Sequence, residues 1–410
     1  MSFFWSRNRF SPIGIDFGAD SLKLLQIVPG EPPQMVAAAT EVLPEQLRDD
    51  PAARYAVLTV MIKKLLKAGG FKGNRAACSI PSHQTLVQHF QIPRSDQEDF
   101  HTLIATHLRE RLNMDPARMI IRSVPVTQVV GDGVAKQEVI CLAASRETVI
   151  QHIECAQRAK LNVVGMHCEP VLILKAFDHL FRRTSDTERT TCFIDIGART
   201  TKVVIAHGQE LVFAHTIHAG GDQLTRHVAK AENISFDEAR SRRIQEATHD
   251  EVASESQVLS TPGRRDQAVN KPLLTAGTRL PRGPGDESHA ESATTVAAKP
   301  SKTNSASPRN GYQDTLECLI DELQLCLHYH QSLFADRKIE KLVFLGGESR
   351  DVKICKAIAK ALRIGAQRGD PFARLIRFGQ AKPPVGVDGR QPQPGWAVPL
   401  GLCLSGKSKI

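Results

Sequence analysis

The stretch Ile13-Gly14-Ile15-Asp16-Phe17-Gly18-Ala19-Asp20-Ser21-Leu22-Lys23 has a counterpart in Phe193-Ile194-Asp195-Ile196-Gly197-Ala198-Arg199-Thr200-Thr201-Lys202. Each reads as an apolar strand, an aspartate, a glycine, a short polar turn and the start of a second strand. That is a β-hairpin whose turn can approach a phosphate. Glycine lets the backbone come close, and turn N–H groups and Ser or Thr hydroxyls donate to oxygens. The aspartate at the strand end can hold a magnesium ion, directly or through water. One Asp-x-Gly alone is common at any turn. Two copies, each behind an apolar strand, are a duplication, and two such hairpins facing each other can clamp a triphosphate from both sides.

Outward from the two hairpins, strand and helix patterns alternate. Helical spacing covers Tyr55 to Ala68, Gln97 to Leu112, Arg146 to Ala159, Asp222 to Glu232, Leu316 to Leu333 and Val352 to Leu362. Strand patterns cover Ala76 to Ile80, Val139 to Ala144, Asn162 to Cys168, Glu210 to Ile217 and Lys341 to Leu345. Pro170 opens a helix at its first turn. The fold class is therefore α/β with two related halves. A third glycine element agrees with the pair: Val343-Phe344-Leu345-Gly346-Gly347-Glu348-Ser349 is a strand ending in Gly-Gly, where a flat adenine can lie against bare backbone. A lone Gly-Gly is otherwise only a tight turn.

The 410 residues allow about two or three domains, with 41% hydrophobic and 24% charged residues. A wholly disordered chain, a collagen-like repeat and a disulfide scaffold are excluded. From about Gln245 to Gly311 there is no Ile, Phe, Trp, Tyr, Cys or Met. Such a segment cannot offset its ordering entropy by apolar burial, so a disordered insertion is expected over 245–311. The nine cysteines form no CxxC pair and read as reduced, packed thiols. No run reaches the ~18 apolar residues of a spanning helix, and Met1 to Arg7 lacks the apolar region of a secretory signal. The net charge of +9 is spread along the chain. It permits acidic partners without requiring them.

With the two hairpins and the Gly-Gly element in this order, the chain resembles the actin-like ATPase superfamily and its phosphate-1, phosphate-2 and adenosine motifs. Glu169-Pro170 looks like the start of that superfamily's first connecting helix, and Trp396-Ala397-Val398-Pro399-Leu400-Gly401-Leu402 like the second. Within it the chain is most similar to the type IV pilus assembly protein PilM (competence protein A) family, a relative of the cell-division protein FtsA. Cys78-Ser79-Ile80-Pro81-Ser82 with Phe90-Gln91-Ile92-Pro93 resembles the opening of that family's extra subdomain. His218-Ala219-Gly220-Gly221-Asp222-Gln223-Leu224-Thr225 resembles its Gly-Gly-x-x-x-Thr step.

This resemblance implies an actin-like (ribonuclease H-like, duplicated) fold, two halves around a nucleotide cleft. The first half would span 10–190, with an extra subdomain at about 84–165. The second would span 191–244 and 312–380, and 381–410 would return to the first. Nucleotide contacts fall on Asp16, Gly18, Ser21, Lys23, Asp195, Gly197, Thr200, Thr201, Gly220, Gly221, Gly346 and Gly347. Asp16, Asp195 and Glu169 would hold Mg²⁺ through water, with ATP as the nucleotide. The implied role is a cytoplasmic nucleotide-binding scaffold, peripheral to the inner membrane, in a type IV pilus-like assembly or competence machine. It would dock the cytoplasmic N-terminal peptide of a bitopic, PilN-like membrane partner, alongside other pilus-assembly components. The alternatives are an adaptor without nucleotide and an active ATPase or FtsA-like filament protein. Nothing in the sequence positions an attacking water, so the enzyme expectation is at most a weak ATPase.

The departures from the family pattern sit on one side. Ala19 stands where a hydroxyl residue is usual, Arg240 and Arg243 where a Glu and a Lys are usual near the ribose, and Glu348 where a small residue is usual near adenine. Several residues keep two readings. Lys23 either reaches phosphate or faces solvent from an alternating strand. Glu169 either binds magnesium through water or complements the helix dipole. The pairs Arg182-Arg183, Arg242-Arg243 and Arg264-Arg265 read as solvated faces, without the aromatic interleaving of a nucleic-acid groove. Helix 316–333 reads as core, and Phe3, Phe4 and Trp5 with Arg7 and Arg9 as a frayed terminus or a membrane-touching tip.

Overall fold

Two sheets of matching build face each other across a pair of helices. In this computed structural model the described residues are 10–47, 50–93, 100–131, 134–181, 184–244, 311–379 and 382–405, all within one compact unit. Residues 3–9, the pairs Arg182-Arg183 and Arg264-Arg265, and the expected insertion, except Gly311, lie outside them.

The first sheet is built from β1 (Ile13–Phe17), β2 (Ser21–Val28), β3 (Gln34–Val42), β4 (Arg75–Ile80) and β8 (Asn162–Cys168), with the short β14 (Ile376–Arg377) at its edge. Its order is β14-β3-β2-β1-β4-β8; β1, β2 and β3 are an antiparallel meander, and β4 and β8 run parallel to β1. The second sheet repeats this with β9 (Thr190–Ile196), β10 (Thr201–His207), β11 (Glu210–Ile217), β12 (Lys341–Leu345) and β13 (Ala366–Arg368), in the order β11-β10-β9-β12-β13. Again three strands form an antiparallel meander and two run parallel to the first. The duplication read in the hairpins therefore extends to whole sheets.

Helices fill the crossovers. In the first half these are α1 (Pro51–Gly69) and α3 (Arg146–Arg158). In the second they are α5 (Gly221–Glu232), α6 (236–244), α7 (Gly311–Leu333) and α8 (Val352–Leu362). Asp50 caps α1, Ser145 caps α3 and Asp351 caps α8, each accepting from N–H groups of the first turn. Two further helices, α4 (Glu169–Ala176) and α9 (Ala397–Ser405), are apolar nearly all round. Such a helix must be buried on every side. They lie together in the core between the sheets, with Leu172, Ile173, Leu400 and Leu402 against Leu25 and Ala38 of one sheet and Phe193 and Val343 of the other.

Between β4 and β8 a three-stranded antiparallel sheet is inserted, in the order β5-β7-β6: β5 (Thr85–Pro93), β6 (Met119–Gly131) and β7 (Val134–Ser145). One face packs on α2 (Phe100–Leu112) through Ile104 and Leu108; the other carries Val87, Ile140 and Leu142 onto Ala214 of β11.

Candidate functional site

Strand parity explains why the two aspartates meet. Along β1, Ile13, Ile15 and Phe17 turn outward to the core under α1 and α3. Gly14 and Asp16 therefore face inward, and a Cβ on Gly14 would lie 2.8 Å from the Pro399 carbonyl oxygen of α9. Along β9, Cys192, Ile194 and Ile196 turn outward and Phe193 turns inward, so Asp195 also points to the centre. Glu169, at the first turn of α4, arrives between them.

Hairpin register then supplies the counter-charges. Lys23 is the cross-strand partner of Asp16, and Lys202 that of Asp195. Lys23 Nζ lies 3.6 Å from Asp16 Oδ2. Lys202 Nζ lies 3.3 Å from Asp195 Oδ2 and 3.2 Å from Glu169 Oε2. Ser79 Oγ donates to Asp16 Oδ1 at 3.1 Å, and Ser82 donates to Glu169 Oε2 through its backbone N–H and its hydroxyl. All three carboxylates are buried.

Burial pushes the Asp16 carboxyl up to about 6, against the pull of Lys23. Asp195 is raised by burial as well. At Glu169 burial is outweighed by Lys202 and Ser82, which hold it below the usual carboxylate range. Lys202 is itself raised: burial disfavours its charge, but Asp195, Glu169 and Asp16 surround it. Lys202 is the residue that sequence reasoning passed over. Its signal was present, because it occupies in the second hairpin the register that Lys23 occupies in the first.

The turns are fixed from behind. Arg54 of α1, buried, donates to the carbonyls of Gly18 at 2.7 Å and Ala19 at 2.9 Å. Lys23 Nζ donates to Ser21 Oγ at 3.0 Å, which donates to Asp20 Oδ1 at 3.1 Å. In the second turn the Gly197 N–H closes on the Thr200 carbonyl at 2.9 Å, with Thr200 buried beneath. The first N–H groups of α5 turn back on it: Gly221 donates to Gly197 and Asp222 to Ala198. Gly220 sits so close that a Cβ would lie 2.6 Å from both carbonyl oxygens, and Thr201 Oγ1 donates to Ala219 O at 2.8 Å. Gly346 is left-handed at φ +87° and packs on the end of β9, where a Cβ would lie 2.5 Å from Asp195 Oδ1. Gly347 faces Gly395, itself next to the Lys23 stem. Asp16, Glu169, Asp195 and the Gly346-Gly347 loop thus converge, and Gly220 and Gly221 border the loop through Glu348.

The side expected to meet ribose is occupied at Gly221, whereas Gly347, on the expected adenine side, is exposed with open space beside it. Glu348 is 1% exposed and lies directly on Gly221, where a Cβ would collide with it. Its carboxylate pairs with Arg243 and, at 3.4 Å, with Arg240. Arg243 is not the solvated residue expected of the Arg242-Arg243 pair; it is buried and also reaches Asp351 Oδ2 at 2.9 Å, while Arg242 is the exposed member, paired with Glu232. Arg240 pairs with Asp20 of the first hairpin's turn. Among the described residues no group of three or more His, Cys, Asp or Glu is arranged to hold a metal ion. As arranged, the donor set does not fit a magnesium-bound nucleotide. Lys202 is already the cation of Glu169 and Asp195, and Glu348 covers Gly221.

The profile of the family described as type IV pilus assembly protein PilM matches residues 14–261, more than half of the chain, and that of cell division protein FtsA matches 192–385. No curated protein matches it. Among solved structures, the PilM-PilN type IV pilus biogenesis complex superposes with a TM-score of 0.69 at 18% identity, covering 98% of this chain and 99% of that one. The ethanolamine utilization protein EutJ from Carboxydothermus hydrogenoformans gives 0.47 at 13%, covering 97% and 90%. MreB5 of Spiroplasma citri bound to ADP gives 0.43 at 12%, covering 98% and 97%. The fold is actin-like.

Proposed function

The chain belongs to the type IV pilus assembly protein PilM family, and on that premise we propose that it is a cytoplasmic scaffold of a type IV pilus-like assembly or competence machine. It docks the N-terminal cytoplasmic peptide of a bitopic, PilN-like inner-membrane partner and is peripheral to that membrane through the partner. Family membership over residues 14–261 carries the reading. Two further observations support it. The similar PilM structure was solved as a complex with PilN. Among the described residues no helix is long and apolar enough to cross a membrane, as a peripheral place at the membrane requires. The peptide would lie extended beside the inserted sheet, with alternate side chains in pockets. The test is titration of the purified chain with the partner's labelled N-terminal peptide. Saturable binding, with amides near β5–β7 protected from exchange, is expected. Absence of binding both by the peptide and by the full partner in detergent overturns the reading.

A second reading, a scaffold gated by ATP and Mg²⁺, is favoured by one observation, the two Asp-x-Gly hairpins converging on Glu169. It requires Glu348 and Lys202 to leave the places they hold. Calorimetry with Mg–ATP, using Asp195→Ala as control, separates the two readings. Heat lost in the variant supports gating, and no heat at millimolar nucleotide supports the adaptor.

A further inference from the structure

Beside the Glu169–Lys202–Asp195 group, eight residues of the cleft form one unbroken line. Asp16 pairs with Lys23, Lys23 donates to Ser21, and Ser21 donates to Asp20. Asp20 pairs with Arg240, Arg240 with Glu348, Glu348 with Arg243, and Arg243 with Asp351. Everything up to Asp20 belongs to the first hairpin. Everything from Arg240 onward belongs to α6, the loop after β12 and the cap of α8. The line therefore crosses the cleft once, at Asp20–Arg240.

From this juxtaposition we infer that Arg240 is a built-in clasp that holds the two halves together without a small ligand. The crossing is sheltered, with the Asp20 and Arg240 side chains 17% and 18% exposed. An ion pair at that depth escapes much of the screening that weakens surface pairs. It is also anchored on both sides. Asp20 is tied to Ser21, and its carbonyl accepts from the Leu43 N–H at 2.7 Å. Arg240 rests on Glu348, which is fully enclosed by Arg243 and the Gly221 backbone. Each cation of the line already serves a carboxylate. A polyanion entering the cleft would meet Asp16, Asp195 and Glu348, and the cations of the line are already engaged with carboxylates. The clasp thus sets the closed arrangement and excludes a polyphosphate with the same residues. It is a property of the cleft alone and stands whether or not the pilus reading does.

The test is a spin-label distance across the cleft. Cys318 on α7 is exposed, the other eight cysteines are buried or half-buried, and Lys67→Cys on the exposed side of α1 supplies the second label. The parent is expected to show one narrow distance that millimolar Mg–ATP does not move. Arg240→Gln and Asp20→Asn, which break the same pair from opposite sides, are each expected to broaden and lengthen it. The double exchange Asp20→Arg with Arg240→Asp re-forms the pair with its charges reversed, leaves Arg243 as the counter-charge of Glu348, and is expected to restore the narrow distance. That restoration separates loss of the clasp from loss of folding. The inference is overturned if Asp20→Asn, the milder change, keeps the parent distance, or if Mg–ATP shifts the parent by itself.

Discussion

At the scale of single residues, the cleft is a set of carboxylates held against their own preference for water. Asp16 shows it most directly. Its folded pKa of about 6 lies above the ordinary 3.8, so the native state binds its proton more tightly than the unfolded chain does. The stabilising contribution of that proton is present below about pH 4 and is lost as pH rises through 6. Asp16→Asn removes the titration while keeping an acceptor for Ser79. The variant's stability relative to the parent is expected to grow between pH 4 and 6, to at most about 3 kcal/mol, in urea unfolding across that range. Lys202 carries the opposite sign. Lys202→Met leaves Glu169 and Asp195 buried with no shared cation and is expected to cost about 3–5 kcal/mol. Adding Glu169→Gln is expected to return part of that loss in the same unfolding experiment, because one of the two stranded charges is gone.

At the scale of elements, the decisive contact is between α4 and α9, the two helices caged between the sheets. They touch backbone to backbone: a Cβ on Gly401 would collide with the Leu172 carbonyl oxygen. Because that oxygen belongs to a helix with no free side, it cannot yield. Gly401→Ala is expected to lower stability by about 1–3 kcal/mol, the range for overpacking, seen as a lower Tm in calorimetry. Both helices were legible in the sequence, α4 from Pro170 at its first turn and α9 from the resemblance of Trp396 to Leu402 to the superfamily's second connecting helix. The hairpins around Asp16 and Asp195 were legible because they occur twice. Five strands, β3, β5, β6, β13 and β14, were not, and the three longer ones show why. β3 reads Gln-Met-Val-Ala-Ala-Ala-Thr-Glu-Val, and its alanines favour helix until β2 pairs with it. β6 carries Pro125 in mid-strand, which argues against a strand; the sheet absorbs it with a register shift between Pro125 and Thr127. β5 has Gln88, His89 and Gln91 among its apolar residues, and its pattern clears only when its two faces are known. For the site the split is similar. The aspartates and glycines sit in local motifs. Arg54 and Arg240 act through packing of distant segments, which no short motif encodes, while Lys202 lies inside the second hairpin motif and shows only when its register is matched to that of Lys23.

At the scale of the whole molecule, the inserted sheet also has to be held against the second half, and a buried carboxylate does part of this. Glu138 of β7 is wholly buried. Its Oε1 accepts from the Tyr329 hydroxyl of α7 at 2.7 Å and lies 2.8 Å from His89 Nδ1 of β5, while Oε2 has no partner. The far nitrogen of His89 lies 3.2 Å from the Ala214 carbonyl oxygen on β11, and its ring stacks on Phe213. One carboxylate thus joins the inserted sheet to both α7 and β11. Tyr329→Phe keeps the ring and removes the donor. His89 stays as a partner of Oε1, so the loss is that of one hydrogen bond, about 0.5–1.5 kcal/mol net, and the variant is expected to be destabilised by that amount. The loss should be uneven. The surrounding contacts of Val87, Ile140, Leu142 and Ala214 are apolar and stay in place, so the inserted sheet should loosen before the sheets that carry Asp16 and Asp195. Hydrogen exchange is expected to rise in β5, β7 and β11 while β1 and β9 stay protected. Equal acceleration everywhere would mean that the bond supports only global stability. No change would mean that apolar packing alone fastens the inserted sheet, and Glu138 would then be a buried polar side chain that the fold tolerates without using.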